Sequence, residues 1–341
     1  MRKIRMELAN LICKFGEKQV LVDQLNEIVL PAFFDVSLKR KYGKTAYFFD
    51  EVKLVVLSES SDDEEVIGIA GRFIRDGMLY RDQVFESGEG LVQDRDSMRT
   101  SPSAIFLLVL NNHRLIYAKE VSGAPSKEQF RSTLQSFLRR KRSSLVAKEI
   151  ASQLAAEADV GLRRKREIKL NIEASVGVPK VDLVRLTSEE GIESFVDKFE
   201  ILKTLEIVLK DRNDENDNDE FFDDLQRRKD AIKSTKSSVR HTNTKGLSKD
   251  AAVTEIAEAT AQGNQIVSVS GTDDAGDSIS GNNEKFQIRK ELASLSAKPK
   301  KAAKKLYASF LGLISDGTIQ VPQTPDKARQ AIARIDKKVA R

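Results

Sequence analysis

The sequence predicts an α+β fold, in which an N-terminal antiparallel meander covered by helices is followed by a second, mixed α/β domain. The first third contains apolar runs separated by short turn-forming dipeptides, which is typical of β-hairpins. A long amphipathic stretch follows, and the second half then alternates between helical and strand-like hydrophobic periods. The boundary is placed near residue 160, so that the predicted domains cover residues 1–160 and 161–341.

The elements of the first third are predicted from changes in hydrophobic period. Residues 1–30 are predicted to be helical in part, and this helix would pack across the sheet and shield one of its faces. Its rough helical stripe ends before Pro31 and consists of Val20, Val22, Leu25, Ile28 and Val29. Hairpin turns are predicted at Asp76-Gly77 and at Asn111-Asn112, because these residues adopt left-handed conformations easily. The predicted strands or extended segments are 33–38, 45–57, 66–74, 78–85, 104–110 and 115–117.

Two helices are predicted in the middle of the chain. Ser126 lies three residues before Gln129, which is the capping-box spacing that marks a helix start. The apolar residues after this cap recur at i, i+4, i+7 and i+8, so the helix has one face to bury: Phe130, Leu134, Phe137 and Leu138. A separate helix over residues 145–159 is predicted to end before Gly161.

The second half is predicted to contain shorter elements. Residues 233–249 contain few apolar side chains, and this segment is therefore expected to be mobile. The acidic run 211–224 is predicted to be a solvated loop that leads into a helix reaching about residue 233. The remaining predicted strands are 168–174, 205–209, 265–270 and 285–290, and the remaining predicted helices are 188–199, 249–262, 303–314 and a short basic helix in the tail.

Composition and charge restrict the class of protein. The 341 residues contain 57 lysines and arginines and 52 aspartates and glutamates, so the net charge of +5 is a small difference between large numbers. The local distribution of charge is therefore more informative than the total. Cys13 is the only cysteine, which excludes an intramolecular disulfide and fits a reducing, cytoplasmic location. No apolar run approaches the ~20 residues that span a bilayer, so no membrane association is expected.

Basic clusters give the leading functional hypothesis. The first cluster precedes the predicted helix 145–159 and the second follows it, so they would lie roughly 30 Å apart along a straight helix. We interpret them as contacts to the phosphate backbone of DNA or RNA, which carry no sequence information. Solvated helix ends would produce a similar pattern. The predicted nucleic-acid-binding residues are Arg139, Arg140, Lys141, Arg142, Arg163, Arg164, Lys165 and Arg166. A third cluster contains Lys298, Lys300, Lys301, Lys304 and Lys305.

Two other classes of function stay open at this stage. A Mg²⁺-dependent nuclease would place Glu-x-Lys on a strand, and the sequence offers this pattern at 51–53 and 167–169. Asp35 and Asp159 would be the additional carboxylates of these two sites. The same pattern also describes the ordinary exposed face of a strand. The third hypothesis is an oligomerising protein-interaction component, whose partner would be another protein or a second copy of the chain.

No catalytic residue, metal site or cofactor is predicted. The acidic run 211–219 has the carboxylate density of a calcium loop, but it lacks glycine at position 6 and glutamate at position 12. His113 has no nucleophile among its sequence neighbours and is predicted to be a turn residue, and Cys13 is predicted to be a small apolar residue. Glycine loops that would hold a phosphate group are absent.

Overall fold

The computed structural model describes residues 4–58, 65–157, 161–213 and 220–335. Helices pack against two antiparallel sheets, which makes the protein an α+β fold. The strands are β1 (Ile4–Phe15), β2 (Gln19–Val20), β3 (Arg40–Tyr42), β4 (Thr45–Ser58), β5 (Val66–Glu86), β6 (Gly90–Thr100), β7 (Ser103–Val109), β8 (Arg114–Lys119), β9 (Pro179–Arg185), β10 (Ile201–Leu209), β11 (Ser237–Thr242), β12 (Gln265–Thr272), β13 (Ser278–Asn282) and β14 (Arg289–Leu292). The α-helices are α1 (Leu30–Phe34), α2 (Lys127–Ala156), α3 (Leu162–Ser175), α4 (Glu189–Val196), α5 (Glu220–Ala231), α6 (Lys249–Thr260), α7 (Pro299–Ser315) and α8 (Asp326–Ala333).

The larger sheet is organised around β1. Its main strand order is β14-β1-β8-β7-β5-β4-β3, with β2 and β9 also paired to β1 and β6 paired to β5. One edge of β1 pairs with β8, while the other edge is divided between β14, opposite Ile4 to Glu7, and β9, opposite Ala9 to Phe15. Strands from both halves of the sequence therefore complete one sheet. The predicted domain boundary near residue 160 stays a prediction.

Both faces of the larger sheet are covered by helices. On one face, α2 inserts Phe130 among aromatic rings of the sheet, with ring centroids 5.3 Å from Phe49, 5.5 Å from Phe73 and 5.2 Å from Phe106. Edge-to-face and tilted packing of this kind favours association beyond the burial of apolar area. On the opposite face, α7 buries a stripe of Ala302, Leu306 and Phe310. The sheet is thus a buried layer between two helical layers.

The smaller sheet has the strand order β11-β10-β12-β13 and is covered by α4 and α6. Buried amides connect it to the larger sheet. The side chain of Asn10 on β1 donates to Gly263 O at 3.2 Å and to Asn264 Oδ1 at 3.1 Å. Asn213 accepts from Cys13 N at 3.3 Å and donates to Leu11 O at 3.2 Å. The Asn213 amide thus binds backbone groups of β1, while the Asn10 amide binds the segment that precedes β12, and burial makes such bonds costly to lose.

Several predicted elements are confirmed. The capping box is present, since Gln129 N donates to Ser126 Oγ at 3.2 Å and Ser126 N donates to Gln129 Oε1 at 2.8 Å. The hairpin predicted across Asn111-Asn112 is β7–β8, and His113 at its turn has a left-handed φ of 54°. The helices α4, α6 and α7 match predicted ones, as do the strands β4, β10 and β12.

One prediction of secondary structure is right only in part and another is wrong. The helix predicted within residues 1–30 is present over its apolar stripe, where Leu21–Gln24 form a 3-10 helix and Leu25–Val29 a π-helix. Residues 4–15 form strand β1 instead, because both faces of this segment are buried and its apolar residues follow each other without a period. Residues 168–174 form part of α3, not a strand. Ile168 and Ile172 are the buried residues there, and their i, i+4 spacing fits a helix as well as their alternation fits a strand.

Other boundaries also differ from the prediction. The predicted hairpin at Asp76-Gly77 is absent, because β5 continues through these residues to Glu86 and turns only at residues 87–89. The predicted helix 145–159 is the second half of α2, and the segment expected to be mobile contains β11, which is paired along β10. The extended segment predicted at 33–38 begins inside α1. Strand β13 was not predicted and lies between the strands predicted at 265–270 and 285–290.

Candidate functional site

The first predicted cluster lies in the middle of α2, and its four cations have different environments. Arg142 donates to Val176 O at 2.8 Å and to Glu173 O at 2.9 Å, so it fixes the carboxyl end of α3. Lys141 pairs with Asp35 at 2.5 Å, and this hydrogen bond together with those from Ser37 lowers the pKa of Asp35 to about 2. These two side chains hold the fold together, whereas Arg139 and Arg140 are exposed.

The second predicted cluster lies in the first turn of α3, where all four cations are exposed. Arg164 pairs with Glu157 at 2.9 Å and with Glu167 at 3.3 Å. Because Arg142 of α2 contacts the carboxyl end of α3, α3 packs back along α2. The separation of roughly 30 Å between the two clusters stays a prediction. Cations at a helix N-terminus oppose the helix dipole, so helix stability does not explain this cluster.

A groove on α2 brings Arg139 and Arg140 together with Arg40 of β3. It has a volume of about 650 Å³ and is otherwise lined by small or uncharged side chains, namely Ser132, Gln135, Ser136, Ser143 and Ser144. Arg140 Nη1 donates to Lys39 O at 3.0 Å, and the Arg40 guanidinium lies 5.8 Å from the Tyr47 ring centroid. Arg40 Nη1 also donates to Thr133 Oγ1 at 3.5 Å. These contacts orient both guanidinium groups and leave further N–H donors for a ligand, because a guanidinium group has five.

No carboxylate of the described residues lines this groove. The serines of the groove contribute mainly by being short, because most of their hydroxyl groups already donate hydrogen bonds within the helix. The hydroxyls of Ser132, Ser143 and Ser144 donate to helix carbonyls at 3.2 Å, 3.0 Å and 3.1 Å respectively. A short side chain at these positions lets an anion approach the three guanidinium groups without a steric barrier. The arrangement fits a phosphate or another oxyanion, which guanidinium groups bind by paired hydrogen bonds.

The basic residues on the other side of this groove were not predicted from the sequence. The run from residue 39 to residue 44 reads Lys-Arg-Lys-Tyr-Gly-Lys, and it forms the β3–β4 hairpin next to Arg140. Tyr42 in this run is 73% exposed, so an aromatic ring does lie among cations. The density of cations was visible in the sequence, but their position against α2 was not. We call this region the basic surface: Lys39, Arg40, Lys41, Tyr42, Lys44, Arg139 and Arg140.

Only one of the two Glu-x-Lys patterns lies on a strand, as a nuclease site would require. Glu167 and Lys169 lie on α3, where Glu167 pairs with Arg164, so the strand geometry predicted there is wrong. Glu51 lies on β4 at an irregularity in its pairing with β5, has a left-handed φ of 49°, and its carboxylate pairs with Arg72. Asp159 lies outside the described residues. Within the described ranges, no group of three or more His, Cys, Asp or Glu side chains is arranged to hold a metal ion.

The other residues considered for chemistry have structural environments. Cys13 is buried, and burial raises the pKa of its thiol to about 12, so the reactive thiolate is disfavoured. His113 is buried at the β7–β8 turn. Asp211, at the start of the acidic run, lies between Lys180 at 2.6 Å and Lys229 at 2.8 Å. Residues 214–219 of that run lie outside the described residues.

Comparison with known proteins gives no family for this chain. It matches no model of a protein family, and a search among curated proteins finds no sequence similar to it. Among the residues that the structure describes, no helix combines the length and the apolar character needed to cross a membrane. Functional inference therefore depends on the geometry of the basic surface.

Proposed function

We propose that the protein is a cytoplasmic, sequence-independent nucleic-acid-binding protein that contacts the phosphate backbone through its basic surface. The observation that supports this proposal is the packing of the β3–β4 hairpin against α2. It brings Arg40, Arg139 and Arg140 to one groove that no described carboxylate lines, and it places three further lysines on the adjoining hairpin. A local concentration of positive charge of this kind attracts polyanions although the whole chain is nearly neutral.

The individual residues have distinct roles in this proposal. Arg40, Arg139 and Arg140 bind phosphate oxygens, because their planar guanidinium groups donate two parallel hydrogen bonds to one phosphate. Lys39, Lys41 and Lys44 act as mobile point charges along the backbone. The Arg163–Arg166 cluster on α3 extends the positive field along the helical layer. None of these contacts distinguishes one base from another.

Tyr42 favours single strands over duplexes. An exposed ring flanked by cations is the arrangement on which unpaired bases stack, and stacking tolerates every base. In a duplex the bases are already stacked and their faces are inaccessible. We therefore expect single-stranded DNA or RNA to bind more tightly than a duplex of equal length.

The proposal is tested by fluorescence anisotropy with labelled single-stranded and duplex oligonucleotides over a series of salt concentrations. Six neutralised phosphates on a single strand predict a slope of roughly −4 for log K against log salt. The double variant Arg139→Gln/Arg140→Gln should weaken binding to all sequences and reduce that slope by roughly 1.5. The matched control is Lys300→Gln/Lys301→Gln on α7, which removes the same charge and should leave both quantities near the wild-type values.

The role of Tyr42 is tested separately. Tyr42→Ala should reduce single-strand affinity by about 1–3 kcal/mol without changing the salt slope, because stacking releases no counterions. Absence of binding at low salt would contradict the proposed function. Equal losses for the α2 and α7 variants would show that only the net charge matters and that the basic surface is not the site.

A further inference from the structure

A β-ribbon projects from the larger sheet and leaves most of its side chains exposed. The inner part of β5 pairs with both β4 and β7, whereas residues 77–86 pair only with β6. We call residues 77–100 the arm. Each of its strands has about ten residues, so the arm is roughly 33 Å long. The chain reverses at residues 87–89, where Gly88 has a left-handed φ of 101°.

One face of the arm carries large apolar side chains that are more than half exposed. The register pairs Leu79 with Met98 near the base and Phe85 with Leu91 near the tip. Directly paired residues lie on the same face, and 79 and 85 share a face because side chains alternate along a strand. Their exposed fractions are 57%, 60%, 74% and 67%. We call these four side chains the apolar face.

The opposite face of the arm is better covered. Val84 and Val92 are only partly exposed, and Met78 is 38% exposed. Tyr80 on this face is 54% exposed, and Lys44 Nζ lies 5.7 Å from its ring centroid, so the β3–β4 hairpin contacts this face near its base. The apolar face therefore carries the more exposed of the large side chains on the arm. A two-stranded ribbon is only marginally stable alone, and apolar patches of this kind mark interaction surfaces.

The charges of the arm argue against nucleic acid as its ligand. Residues 82–94 at the tip contain four carboxylates and no lysine or arginine: Asp82, Glu86, Glu89 and Asp94. The base has a positive excess, since Arg75, Arg99 and Lys44 lie close to it and Asp76 pairs with Arg99. The acidic tip repels phosphate groups. It would instead bind a surface that is both apolar and positively charged, and the base of a second arm is such a surface.

We propose that two copies of this chain associate by packing their arms against each other, antiparallel and apolar face to apolar face. Leu79 and Met98 of one copy then cover Phe85 and Leu91 of the other. The Arg81–Asp96 pair in the middle of the face lies near the two-fold axis, and each acidic tip lies beside the basic base of its partner. The order apolar, polar, apolar along one face is self-complementary, which is what an isologous contact requires.

The size of the contact determines its strength. A face roughly 33 Å long and about 10 Å wide, the spacing between packed sheets, buries on the order of 700 Å² for two arms. This lies below the ~1,200 Å² at which stable complexes begin. We therefore expect a reversible dimer with a dissociation constant in the micromolar range or weaker, populated only at high protein concentration.

Sedimentation velocity over a series of protein concentrations tests the association. The wild-type chain should shift from monomer to dimer as the concentration rises, and Leu79→Ser/Phe85→Ser should weaken dimerisation at least tenfold. The control Val84→Thr/Val92→Thr alters the opposite face and should dimerise like the wild type. Far-ultraviolet circular dichroism checks that each variant is folded. A monomer at every concentration, or a dimer that both double variants form equally, would overturn the proposal.

Single cysteines test the antiparallel arrangement. Arg81→Cys places a thiol near the proposed axis, so mild oxidation with copper-phenanthroline should cross-link two copies efficiently. Ser87→Cys places the thiol at the tip, far from its symmetry mate, and should cross-link poorly. Cys13 is buried and is present in both variants, so it does not bias the comparison. Equal cross-linking of the two variants, or faster cross-linking at Ser87→Cys, would contradict it. Oligonucleotide binding is measured independently, so failure of either proposal leaves the other intact.

Discussion

Strand β5 has two parts with the same backbone geometry and opposite environments. Residues 66–76 have a neighbouring strand on each side and helices over both faces, and Ile69 and Phe73 are fully buried. Residues 77–86 have one neighbouring strand and no helical cover, and Phe85 is 74% exposed. Continuous hydrogen bonding along a strand thus does not make its two ends equally stable. Burial stabilises the inner part of β5. The stability of the outer part depends on what binds to it.

The largest expected effect is a difference in the free energy of unfolding between two variants, each of which replaces one phenylalanine of β5 by alanine. Phe73 packs against Phe49 and Phe130 at centroid distances of 5.4 Å and 5.5 Å. Phe73→Ala should lower the free energy of unfolding by about 3–5 kcal/mol through lost burial and a residual cavity. Phe85→Ala should change it by less than about 0.5 kcal/mol, because the ring is already in solvent. Urea denaturation of both variants measures the difference. A similar loss at the two positions would show that the arm is packed in the monomer.

The next effect concerns a buried charge in the body of the protein. The Lys229 side chain is 2% exposed and depends on Asp211, so Asp211→Asn should cost roughly 2–3 kcal/mol, reduced from the full value because Asp211 is partly solvated. Burial alone would raise the pKa of Asp211, but hydrogen bonds from Lys180 and Lys229 outweigh it and lower the pKa to about 2. Chemical denaturation at pH 7 compares the variant with the wild type.

The pH dependence of this pair follows from the sign of the shift. A carboxyl group with a lowered pKa stabilises the folded state above its ordinary pKa near 3.8, and this contribution is lost as the pH falls through about 4 to 2. The stability difference between the wild type and Asp211→Asn should therefore shrink over that interval. A difference that is constant down to pH 2 would mean that the carboxylate does not stabilise Lys229.

A charged pair on the arm is expected to behave differently. Arg99 hydrogen-bonds Asp76 at 2.9 Å and so lowers the pKa of that carboxyl, but the arginine is 77% exposed. Exposed pairs are screened by solvent and contribute little. Arg99→Ala should leave the denaturation midpoint unchanged within experimental error. A clear destabilisation would mean that the base of the arm is more tightly packed than its exposure indicates.

The smallest effect is a change in hydrogen exchange. Amides in residues 66–74 should exchange only on global unfolding, while those in the arm should exchange through local opening. If the arms associate, arm amides should become a few-fold more protected as the protein concentration rises, and the inner amides should not change. Exchange followed by mass spectrometry at two concentrations makes this comparison. Identical arm exchange at both would argue against association through the arm.

The sequence was sufficient for elements whose pattern is local. The capping box at Ser126, the β7–β8 hairpin and the apolar stripe of α7 are all set by residues within one or two turns of each other, and all were predicted. The α3 error shows the limit of periodicity, since Ile168, Leu170 and Ile172 fit either a strand or a helix. Only packing shows that Leu170 is exposed.

The remaining features depend on contacts between distant residues. Strand β6 was not predicted, because only three of its residues are large and apolar: Leu91, Val92 and Met98. The basic surface was predicted only in part: Arg139 and Arg140 were identified, but nothing local shows that Lys39 and Arg40 fold beside them. Likewise, the i, i+4 spacing and the capping box of α2 do not predict that Arg142 donates hydrogen bonds to the carboxyl end of α3.

The pairing of β1 has a consequence for the order in which the chain matures on the ribosome. Strand β1 emerges long before residues 179–185 and 289–292, which complete one of its edges. At roughly 5–20 residues per second, translation leaves that edge open for tens of seconds. During this interval the nascent chain exposes an unpaired strand in which eight of the twelve residues are apolar. We expect chaperones that shield extended apolar segments to engage this protein early in its synthesis, and to be released only when its last strand arrives.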